Sequence, residues 1–258
     1  MIKLIATDLD GTLLTETRRY ILPEFFAEAR RLMDMGIIVT TASGRQYDSL
    51  RRLFAPIVDD IYYICENGAV VYGPGKSGEI IYKSVIDRPT SLRLCHEILD
   101  RPDCELLISG ANMSYVCPKG DEIVDELVNY IGNRVTVLSC PEDMPEDFLK
   151  ISARCTSGAA NLEPIMAPHW SDRFSVAVAA KLWLDFTIAN KATGIEALCA
   201  HLGISTDDVA AFGDNFNDTE MLDLVGHPYV MENGATPLLE KYTNHCARVD
   251  EVLATFGK

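Results

Sequence analysis

The sequence predicts an α/β fold: a Rossmann-like, doubly wound parallel sheet that carries an inserted α+β domain. Short apolar runs alternate with helical patterns at both ends of the 258-residue chain, as in parallel sheets covered by helices on two faces. Between these ends, from about residue 87 to residue 188, short strands and amphipathic helices follow one another in a different order. We therefore expect a core formed by residues 1–85 and 188–258, with an inserted domain at 86–187.

The first block of the core opens with a strand whose almost continuous apolar character suits burial on both faces of a sheet. A helical spacing of apolar residues follows and stops at Gly36, a typical helix end. Asn67-Gly68, between two β-like runs, indicates a hairpin. The predicted elements of this block are strand 2–6, helix 23–35, strand 37–42, helix 46–54, strand 61–65 and short strands at 70–72 and 79–83.

The remaining elements follow from the same periodicities, two residues for strands and 3.6 for helices. In the inserted block the predicted helices lie near 90–99, 121–131 and 159–170, and the strands at 105–109, 114–117, 135–138, 149–153, 173–177 and 182–188. The core pattern then resumes with helix 192–202, strand 209–212, helix 219–225, strand 229–231 and helices near 237–242 and 250–256.

The formal net charge of −15 makes several classes of partner unfavourable. DNA, RNA and anionic membranes attract basic surfaces, so we expect neither a nucleic-acid nor a membrane partner. No stretch approaches the length of a membrane span, and the N-terminal apolar run is too short for a signal peptide. An anionic substrate would need positive charge supplied by its own site.

Eight cysteines are scattered along the chain without a Cys-x-x-Cys pair. In a chain of this size they indicate free thiols in a reducing compartment rather than a disulfide framework. The five histidines show no metal-ligand spacing. These features predict a cytoplasmic protein, and nothing in the sequence implies a protein partner.

Two aspartates follow the first strand and are separated by one residue. Asp8 and Asp10 would project to the same side of an extended chain, where two close carboxylates repel each other unless a cation or a proton intervenes. Gly11 then allows a sharp exit from the strand. The alternative is that both aspartates are ordinary strand-end and turn residues, since Asp and Gly favour turns.

Polar residues also follow two other predicted core strands. Ser43 ends the second strand, whereas Asp214, Asn217 and Asp218 follow the strand at 209–212. In a parallel sheet these ends converge on the crevice where ligands bind, and Lys191 opens the helix that follows the inserted block. An acidic pocket with one hydroxyl and one ammonium suits magnesium-assisted phosphoryl transfer, because Mg²⁺ prefers carboxylate, phosphate and water oxygens.

Together these segments resemble the four motifs of the haloacid dehalogenase-like superfamily. The four motifs are Asp8-Leu9-Asp10-Gly11-Thr12, Ser43-Gly44-Arg45, Lys191 and Gly213-Asp214-Asn215-Phe216-Asn217-Asp218. Their order, with an inserted block between the second and third, is similar to the Cof-like sugar-phosphatase branch with a type IIB cap. The resemblance covers essentially the whole chain. One departure is Ala192 after the lysine, where this branch usually has glycine.

The resemblance implies a role for each acidic residue. Asp8 would be the nucleophile and form an aspartyl-phosphate, and Asp10 would protonate the leaving oxygen and later take a proton from water. The implied cofactor is Mg²⁺, held by Asp8, the backbone carbonyl of Asp10, and Asp214. Asp218 would lie behind or beside the ion.

The resemblance also implies a set of phosphoryl ligands. Ser43, Lys191 and Asn217 would hold the phosphoryl oxygens, helped by the backbone amides of Leu9 and Gly44. The implied partner is a small phosphorylated metabolite.

Several of these residues have simpler interpretations when each is taken alone. Ser43 and Asp218 are residue types that often cap helices, and a lysine such as Lys191 is usually a solvated residue at a helix start. We interpret Asn67 as a turn residue, and Arg45 as a structural residue in an ion pair near the site.

Three functions remain as hypotheses. The first is a magnesium-dependent phosphatase that hydrolyses small phosphate monoesters, such as sugar phosphates or related metabolites. The second is a phosphohexomutase of the same superfamily, which would return the phosphoryl group to another hydroxyl and release little phosphate. The third is a phospho-ligand-binding module without catalysis, which the four intact motifs disfavour. A glycosidase also uses two carboxylates, but it has no use for the lysine or the third acidic cluster.

Overall fold

A computed structural model describes residues 1–15 and 17–257 of the chain. The chain divides into two compact units. The first combines Met1–Tyr82 with the chain from Asn190 onward, and the second is Lys83–Ala189. The limits of this second unit lie within three residues of 86 and 187, the limits predicted from the sequence for the inserted domain.

Strands and helices alternate along most of the chain. In chain order the strands are β1 Leu4–Thr7, β2 Ile38–Ala42, β3 Tyr62–Cys65, β4 Val70–Tyr72, β5 Ile80–Lys83, β6 Cys104–Ser109, β7 Ser114–Val116, β8 Val135–Val137, β9 Lys150–Cys155, β10 Ser175–Ala180, β11 Trp183–Thr187, β12 Val209–Gly213, β13 His227–Met231 and β14 His245–Cys246. The α-helices are α1 Pro23–Asp34, α2 Tyr47–Leu53, α3 Arg88–Leu99, α4 Glu122–Asp125, α5 Ala159–Trp170, α6 Lys191–Leu202, α7 Thr219–Leu224, α8 Thr236–Lys241 and α9 Val249–Leu253. A π-helical segment, Glu126–Ile131, continues α4.

The first unit contains an eight-stranded sheet with the order β14-β13-β12-β1-β2-β3-β4-β5. β1 pairs in parallel with β12 on one side and with β2 on the other. The chain leaves β1 towards β2 and later returns on the opposite side at β12, which makes this the switch point where ligands bind in open α/β sheets. The ends of β1, β2 and β12 therefore lie side by side.

Helices cover both faces of this sheet, which explains why β1 is apolar and buried throughout. On one face Ile195 of α6 and Met221 of α7 belong to a buried cluster that contains Leu4 of β1. On the other face Phe25 of α1 makes an edge-to-face contact with Phe54 at a centroid distance of 6.2 Å. The doubly wound core predicted from the sequence is confirmed.

The second unit contains a six-stranded sheet with the order β10-β11-β9-β6-β7-β8. Its strand pairs are antiparallel from β10 to β7, and β7 pairs with β8 in parallel. Leu94 of α3, Leu162 of α5 and Ile151 of β9 belong to one buried cluster. Leu107 and Ile123 belong to a second, smaller cluster on α4 and the neighbouring strands. The predicted α+β character of the inserted domain is confirmed.

Several elements differ in their ends from the sequence-based expectation, among them α9, which ends at Leu253, and β13, which begins at His227. β10 covers Ser175–Ala180, whereas its alternation predicted a strand at 173–177. β14, His245–Cys246, was not predicted, because two residues give too little periodicity to detect. None of the helices within residues 1–15 and 17–257 combines the length and the apolar character that a membrane crossing requires.

Candidate active site

Three buried charges form the centre of the site. Lys191, the first residue of α6, donates from Nζ to Oδ1 of Asp8 at 2.5 Å and to Oδ1 of Asp218 at 2.5 Å. All three side chains are almost completely buried. A buried ammonium with two carboxylate partners is therefore a fixed counter-ion, not the solvated helix-start residue that the lysine would be if taken alone.

These charges shift one another's pKa values. Burial raises the pKa of Asp8 to about 7, with repulsion from Asp218 and Asp214 acting in the same direction and attraction to Lys191 opposing it. Burial likewise raises the pKa of Asp214 to about 6, and the negative charge of Asp218 adds to this effect. Burial tends to lower the pKa of Lys191, but its two carboxylate partners outweigh burial and hold the pKa above its usual range. The site thus holds more negative charge than its lysine can neutralise.

The start of α6 is fixed by a cap and by close packing. The side chain of Asn190 accepts from the backbone N–H of Thr193 at 3.0 Å, in a capping box. A Cβ on Gly68 would lie 1.9 Å from the carbonyl oxygen of Asn190, and one on Gly194 would lie 2.3 Å from a methyl carbon of Ile64. The two glycines therefore allow α6 to approach the β3–β4 hairpin. The helix begins at Lys191 although alanine follows it.

Asp214 is held from two sides at the end of β12. Asp218 Oδ2 accepts from the backbone N–H groups of Asp214 and Asn215 at 2.9 and 3.1 Å. Gly11 has φ +97°, and a Cβ on it would lie 2.1 Å from Asp214 Oδ2. Thr12 Oγ1 donates to Asp214 Oδ1 at 3.4 Å. Glycine at position 11 therefore serves both the turn after β1 and the close approach of the Asp214 carboxylate.

The acidic residues fit a divalent cation. Asp8, Asp214 and Asp218 each offer a carboxylate oxygen within 4.8 Å of the others. Oδ2 of Asp8 is buried and has no hydrogen-bond partner among the described residues, although its Oδ1 is held by Lys191. Both oxygens of Asp218 already accept hydrogen bonds, so this residue orients Asp214 and Lys191. Asp8 and Asp214 are the two carboxylates of this group that a hard cation would bind.

Asp10 forms an ion pair that the sequence predicted only in general terms. Arg45 donates from Nε to Asp10 Oδ2 at 2.8 Å and from a terminal nitrogen to Oδ1 at 2.5 Å. The side chain of Asp10 is 51% exposed, unlike that of Asp8. Arg45 thus contacts a predicted catalytic residue directly, in the two-point geometry that only a guanidinium provides.

The end of β2 carries the second motif. Ser43 is buried, and its Oγ accepts from the backbone N–H of Arg45 at 3.2 Å. It does not cap α2, because Gln46 occupies the N-cap position. A Cβ on Gly44 would lie 3.1 Å from Oδ1 of Asn67, which places the Asn67 side chain beside this motif.

Asn67 has a different position from the one expected for a simple turn residue. It has φ 55°, as the turn requires, but its Oδ1 is buried without a partner within the part of the chain that the structure describes. A buried unpaired amide oxygen is costly unless a ligand satisfies it. The sequence signal was present, because β3 ends at the same edge as β1 and β2.

The two remaining predicted ligands lie on the same strand ends. The side chain of Leu9 is completely buried, and its carbonyl accepts from the backbone N–H of Leu14 at 2.8 Å. Asn217 is exposed on the 3₁₀ turn Phe216–Asp218, directly before Asp218. Backbone and side-chain donors from all four motifs thus belong to the edge that carries Asp8.

Comparisons with known proteins agree with this geometry. The family model described as haloacid dehalogenase-like hydrolase matches residues 5–252. The Escherichia coli protein 5-amino-6-(5-phospho-D-ribitylamino)uracil phosphatase YbjI is 27% identical over 248 residues, which cover 92% of this chain and 88% of YbjI. A crystal structure of a protein from Eubacterium rectale is 30% identical, covers 99% of both chains and has a TM-score of 0.88.

A second solved structure concerns the fold alone. The subclass IIB sugar phosphatase BT4131 is 20% identical, covers 99% of both chains and has a TM-score of 0.81. The likeness extends over the core and the inserted domain together. The chain therefore belongs to the haloacid dehalogenase-like hydrolases, as its four motifs predict, and it has the fold of their subclass IIB.

Proposed function

We propose that the protein is a magnesium-dependent phosphatase that hydrolyses small phosphate monoesters through an aspartyl-phosphate on Asp8. This proposal rests on one observation, namely that the two carboxylate oxygens of Asp8 differ in their hydrogen bonding. Oδ1 is held by the buried Lys191, whereas the buried Oδ2 lacks a hydrogen-bond partner among the described residues. A carboxylate fixed at one oxygen and unpaired at the other is suited to carry a phosphoryl group.

Asp8, Asp214 and the backbone carbonyl of Asp10 would hold the magnesium ion, with Asp218 supporting them through hydrogen bonds. When all four carboxylates of the site are ionised, Lys191 and Arg45 leave two negative charges in excess, which one divalent cation balances. When bound, Mg²⁺ supplies charge neutralisation for the phosphoryl oxygens.

Asp8 and Asp10 act in both halves of the reaction, the transfer of the phosphoryl group to the enzyme and its hydrolysis. In the first half an oxygen of Asp8 bonds to phosphorus, the ester bond to the leaving oxygen breaks, and that oxygen takes a proton from Asp10. In the second half water bonds to phosphorus, gives its proton to Asp10, and the bond between phosphorus and Asp8 breaks. Lys191 keeps its charge beside Asp8 throughout, because it is buried with two carboxylates.

Asp10 has to leave Arg45 in order to donate a proton. A protonated carboxyl has lost one of the two acceptor positions that the guanidinium occupies. Its exposed side chain is free to turn, and Arg45 receives it again as a carboxylate. We propose that this exchange accompanies each turnover.

The phosphoryl oxygens would be held by Ser43, Lys191 and Asn217 and by the backbone amides of Leu9 and Gly44. Asn67 is a further candidate ligand, because its amide lies beside Gly44. These donors provide the local positive charge that an anionic substrate needs on a protein with a net charge of −15.

The substrate class we propose is sugar phosphates or related phosphorylated metabolites. The name of YbjI, which describes a phosphorylated ribityl compound as its substrate, supports a small polyol phosphate. A nucleic-acid phosphate is disfavoured by the acidic composition.

The deciding experiment is a screen of phosphorylated metabolites with and without Mg²⁺, ranked by kcat/KM from released phosphate. We expect Asp8→Asn to abolish turnover and Asp10→Asn to slow it by roughly 10²–10⁴-fold while the phosphorylated enzyme accumulates. Turnover by Asp8→Asn would refute the covalent role. Little free phosphate together with a requirement for a bisphosphate activator would instead indicate a mutase.

A further inference from the structure

Two cysteines of the second unit face each other across adjacent strands. Cys104 opens β6 and Cys155 ends β9, and the antiparallel register pairs these two residues directly. Both thiols are buried. Asp103 precedes the first cysteine and Ser157 follows the second, so that a carboxylate and a hydroxyl accompany the thiols. This cluster is separate in sequence and composition from the four motifs of the core.

The carboxylate of Asp103 accepts hydrogen bonds from the hydroxyl and thiol groups of the cluster. Ser157 Oγ donates to its Oδ2 at 2.7 Å, and Cys155 Sγ lies 3.3 Å from the same oxygen. Cys104 Sγ lies 3.7 Å from Oδ1. The backbone N–H and the hydroxyl of Thr156 both donate to the carbonyl oxygen of Asp103 and fix the two segments together.

The three residues lie close enough to surround one metal ion. One ligand atom from each of Asp103, Cys104 and Cys155 lies within 4.8 Å of the others. In a regular tetrahedron with metal–sulfur bonds of about 2.3 Å and metal–oxygen bonds of about 2.0–2.2 Å, the sulfur–oxygen edges are about 3.5 Å. Each sulfur lies near that distance from a different oxygen of Asp103, Cys155 Sγ at 3.3 Å from Oδ2 and Cys104 Sγ at 3.7 Å from Oδ1. Little movement would bring three ligands around one ion.

The charge balance of the cluster also favours a divalent cation. Both thiols donate to the carboxylate of Asp103. One carboxylate with two neutral thiols has a net charge of −1. If one divalent cation replaces the two thiol protons, the net charge remains −1, and burial imposes no additional penalty for net charge.

We propose that Asp103, Cys104 and Cys155 form a binding site for Zn²⁺. Two thiolates and one carboxylate are a donor set that prefers zinc to the hard magnesium ion. Water would take the fourth position on the side of Thr156 and Ser157, which are exposed and give the ion a path to the site. Binding releases two protons, one from each thiol, so the affinity rises with pH. The site would fasten the start of β6 to the end of β9.

The test uses Co²⁺ as a spectroscopic substitute for zinc in the full-length protein. The protein is stripped with a chelator, kept reduced with a phosphine, and titrated with Co²⁺ in excess Mg²⁺, which occupies the carboxylates of the core. We expect one equivalent of Co²⁺ per chain to produce a thiolate-to-cobalt charge-transfer band with intense visible bands of tetrahedral cobalt. One equivalent of Zn²⁺ should then bleach these bands.

Matched variants separate this site from adventitious thiol binding. Cys104→Ser and Cys155→Ser should each abolish the charge-transfer band, whereas Cys199→Ser, a buried cysteine of the core, should retain it. Asp103→Asn leaves both thiols in place and should weaken Co²⁺ binding by at least about tenfold. Absence of the band in the wild type, or a band that survives in all three cluster variants, would overturn the proposal. None of these readouts depends on phosphatase activity.

Discussion

Lys191 shows how a single residue organises the charges of the site. Its ammonium is shared by Asp8 and Asp218, and each accepts from Nζ at 2.5 Å. Removing one partner of such a group leaves an uncompensated charge, which typically costs about 3–5 kcal/mol. The ion pair with Asp218 therefore stabilises the charge of Lys191, just as the ion pair with Lys191 stabilises the charge of Asp8.

The raised pKa of Asp8 leads to a prediction about stability. In the unfolded chain Asp8 ionises near 3.8, and in the folded protein near 7. Between these values the folded state keeps a proton that the unfolded state has lost, so the free energy of unfolding falls as the pH rises. We expect the wild type, in chelator, to lose stability relative to Asp8→Asn as the pH rises from 3.8 towards 7. Urea unfolding of both proteins at fixed ionic strength measures this difference, and a constant difference would contradict the prediction.

The Arg45–Asp10 pair leads to a kinetic prediction. Arg45→Ala removes both hydrogen bonds that position Asp10 but leaves its carboxyl able to transfer protons. We expect kcat for an aryl phosphate to fall, by less than the roughly 10²–10⁴-fold loss expected for Asp10→Asn. Arg45→Lys keeps the positive charge but loses the two-point contact of the guanidinium, and its kcat should lie between those of the wild type and Arg45→Ala. Equal kcat values for Arg45→Ala and the wild type would remove the positioning role.

The sequence allowed us to identify some residues of the site but not the contacts that others make. Asp8, Asp214 and Lys191 were identifiable because each stands at the end of an apolar strand or the start of a helix. The partner of Asp10 was not, since Arg45 is 35 positions away and the pairing depends on side-chain placement in three dimensions. Asn67 was taken for a turn residue because its dipeptide has that role as well.

At the scale of elements, the turn after β1 is the most constrained connection of the core. Gly11 has a positive φ, and Asn233 donates to its carbonyl at 2.9 Å. The carboxylate of Asp214, which follows β12, occupies the space that a side chain at position 11 would need. The segments that follow the neighbouring parallel strands β1 and β12 can therefore approach each other because residue 11 has no Cβ.

Two glycine substitutions separate backbone strain from this steric effect. Gly11→Ala and Gly36→Ala both place a Cβ at positive φ, at a cost of about 1–2 kcal/mol each. A Cβ at Gly36 has no described atom within 4 Å, whereas one at Gly11 overlaps Asp214. We expect similar losses in melting temperature but a loss of phosphatase activity in Gly11→Ala alone. Full activity of Gly11→Ala would show that Asp214 can move without consequence.

The elements themselves were largely predictable, and the exceptions have physical causes. β1 and β12 are almost continuous apolar runs and β2 is a β-branched run, and all three leave a strong signal because they are largely buried. β10 is mostly exposed, so the apolar pattern that defines a strand end is weak there. The pairing order of the sheet was inferred only as a class, since register depends on contacts between distant segments.

At the scale of the whole molecule, negative charge dominates, with a formal net charge of −15. Three of the acidic residues, Asp8, Asp214 and Asp218, lie together in the core, each with a carboxylate oxygen within 4.8 Å of the others. A cation that binds there binds only the folded chain, because the three residues are far apart in sequence.

Magnesium should therefore stabilise the protein against heat. We expect the melting temperature of chelator-treated wild type to rise with Mg²⁺ concentration, by an amount equivalent to about 2.7 kcal/mol at 100 times the dissociation constant. Asp214→Asn should reduce this shift strongly, whereas Cys104→Ser should preserve it because thiolates are poor magnesium ligands. Differential scanning fluorimetry at a series of Mg²⁺ concentrations measures the shift. An unchanged shift in Asp214→Asn would place the ion elsewhere.

The central place of β1 in its sheet has a consequence for synthesis on the ribosome. Val209 of β12, which pairs with Leu4, is made 205 residues after it. At about 5–20 residues per second the first strand waits roughly 10–40 s with one hydrogen-bonding edge exposed. Nascent chains that stop before β12 therefore present an apolar, unpaired edge to chaperones, and chaperone occupancy should decrease only after β12 has been made.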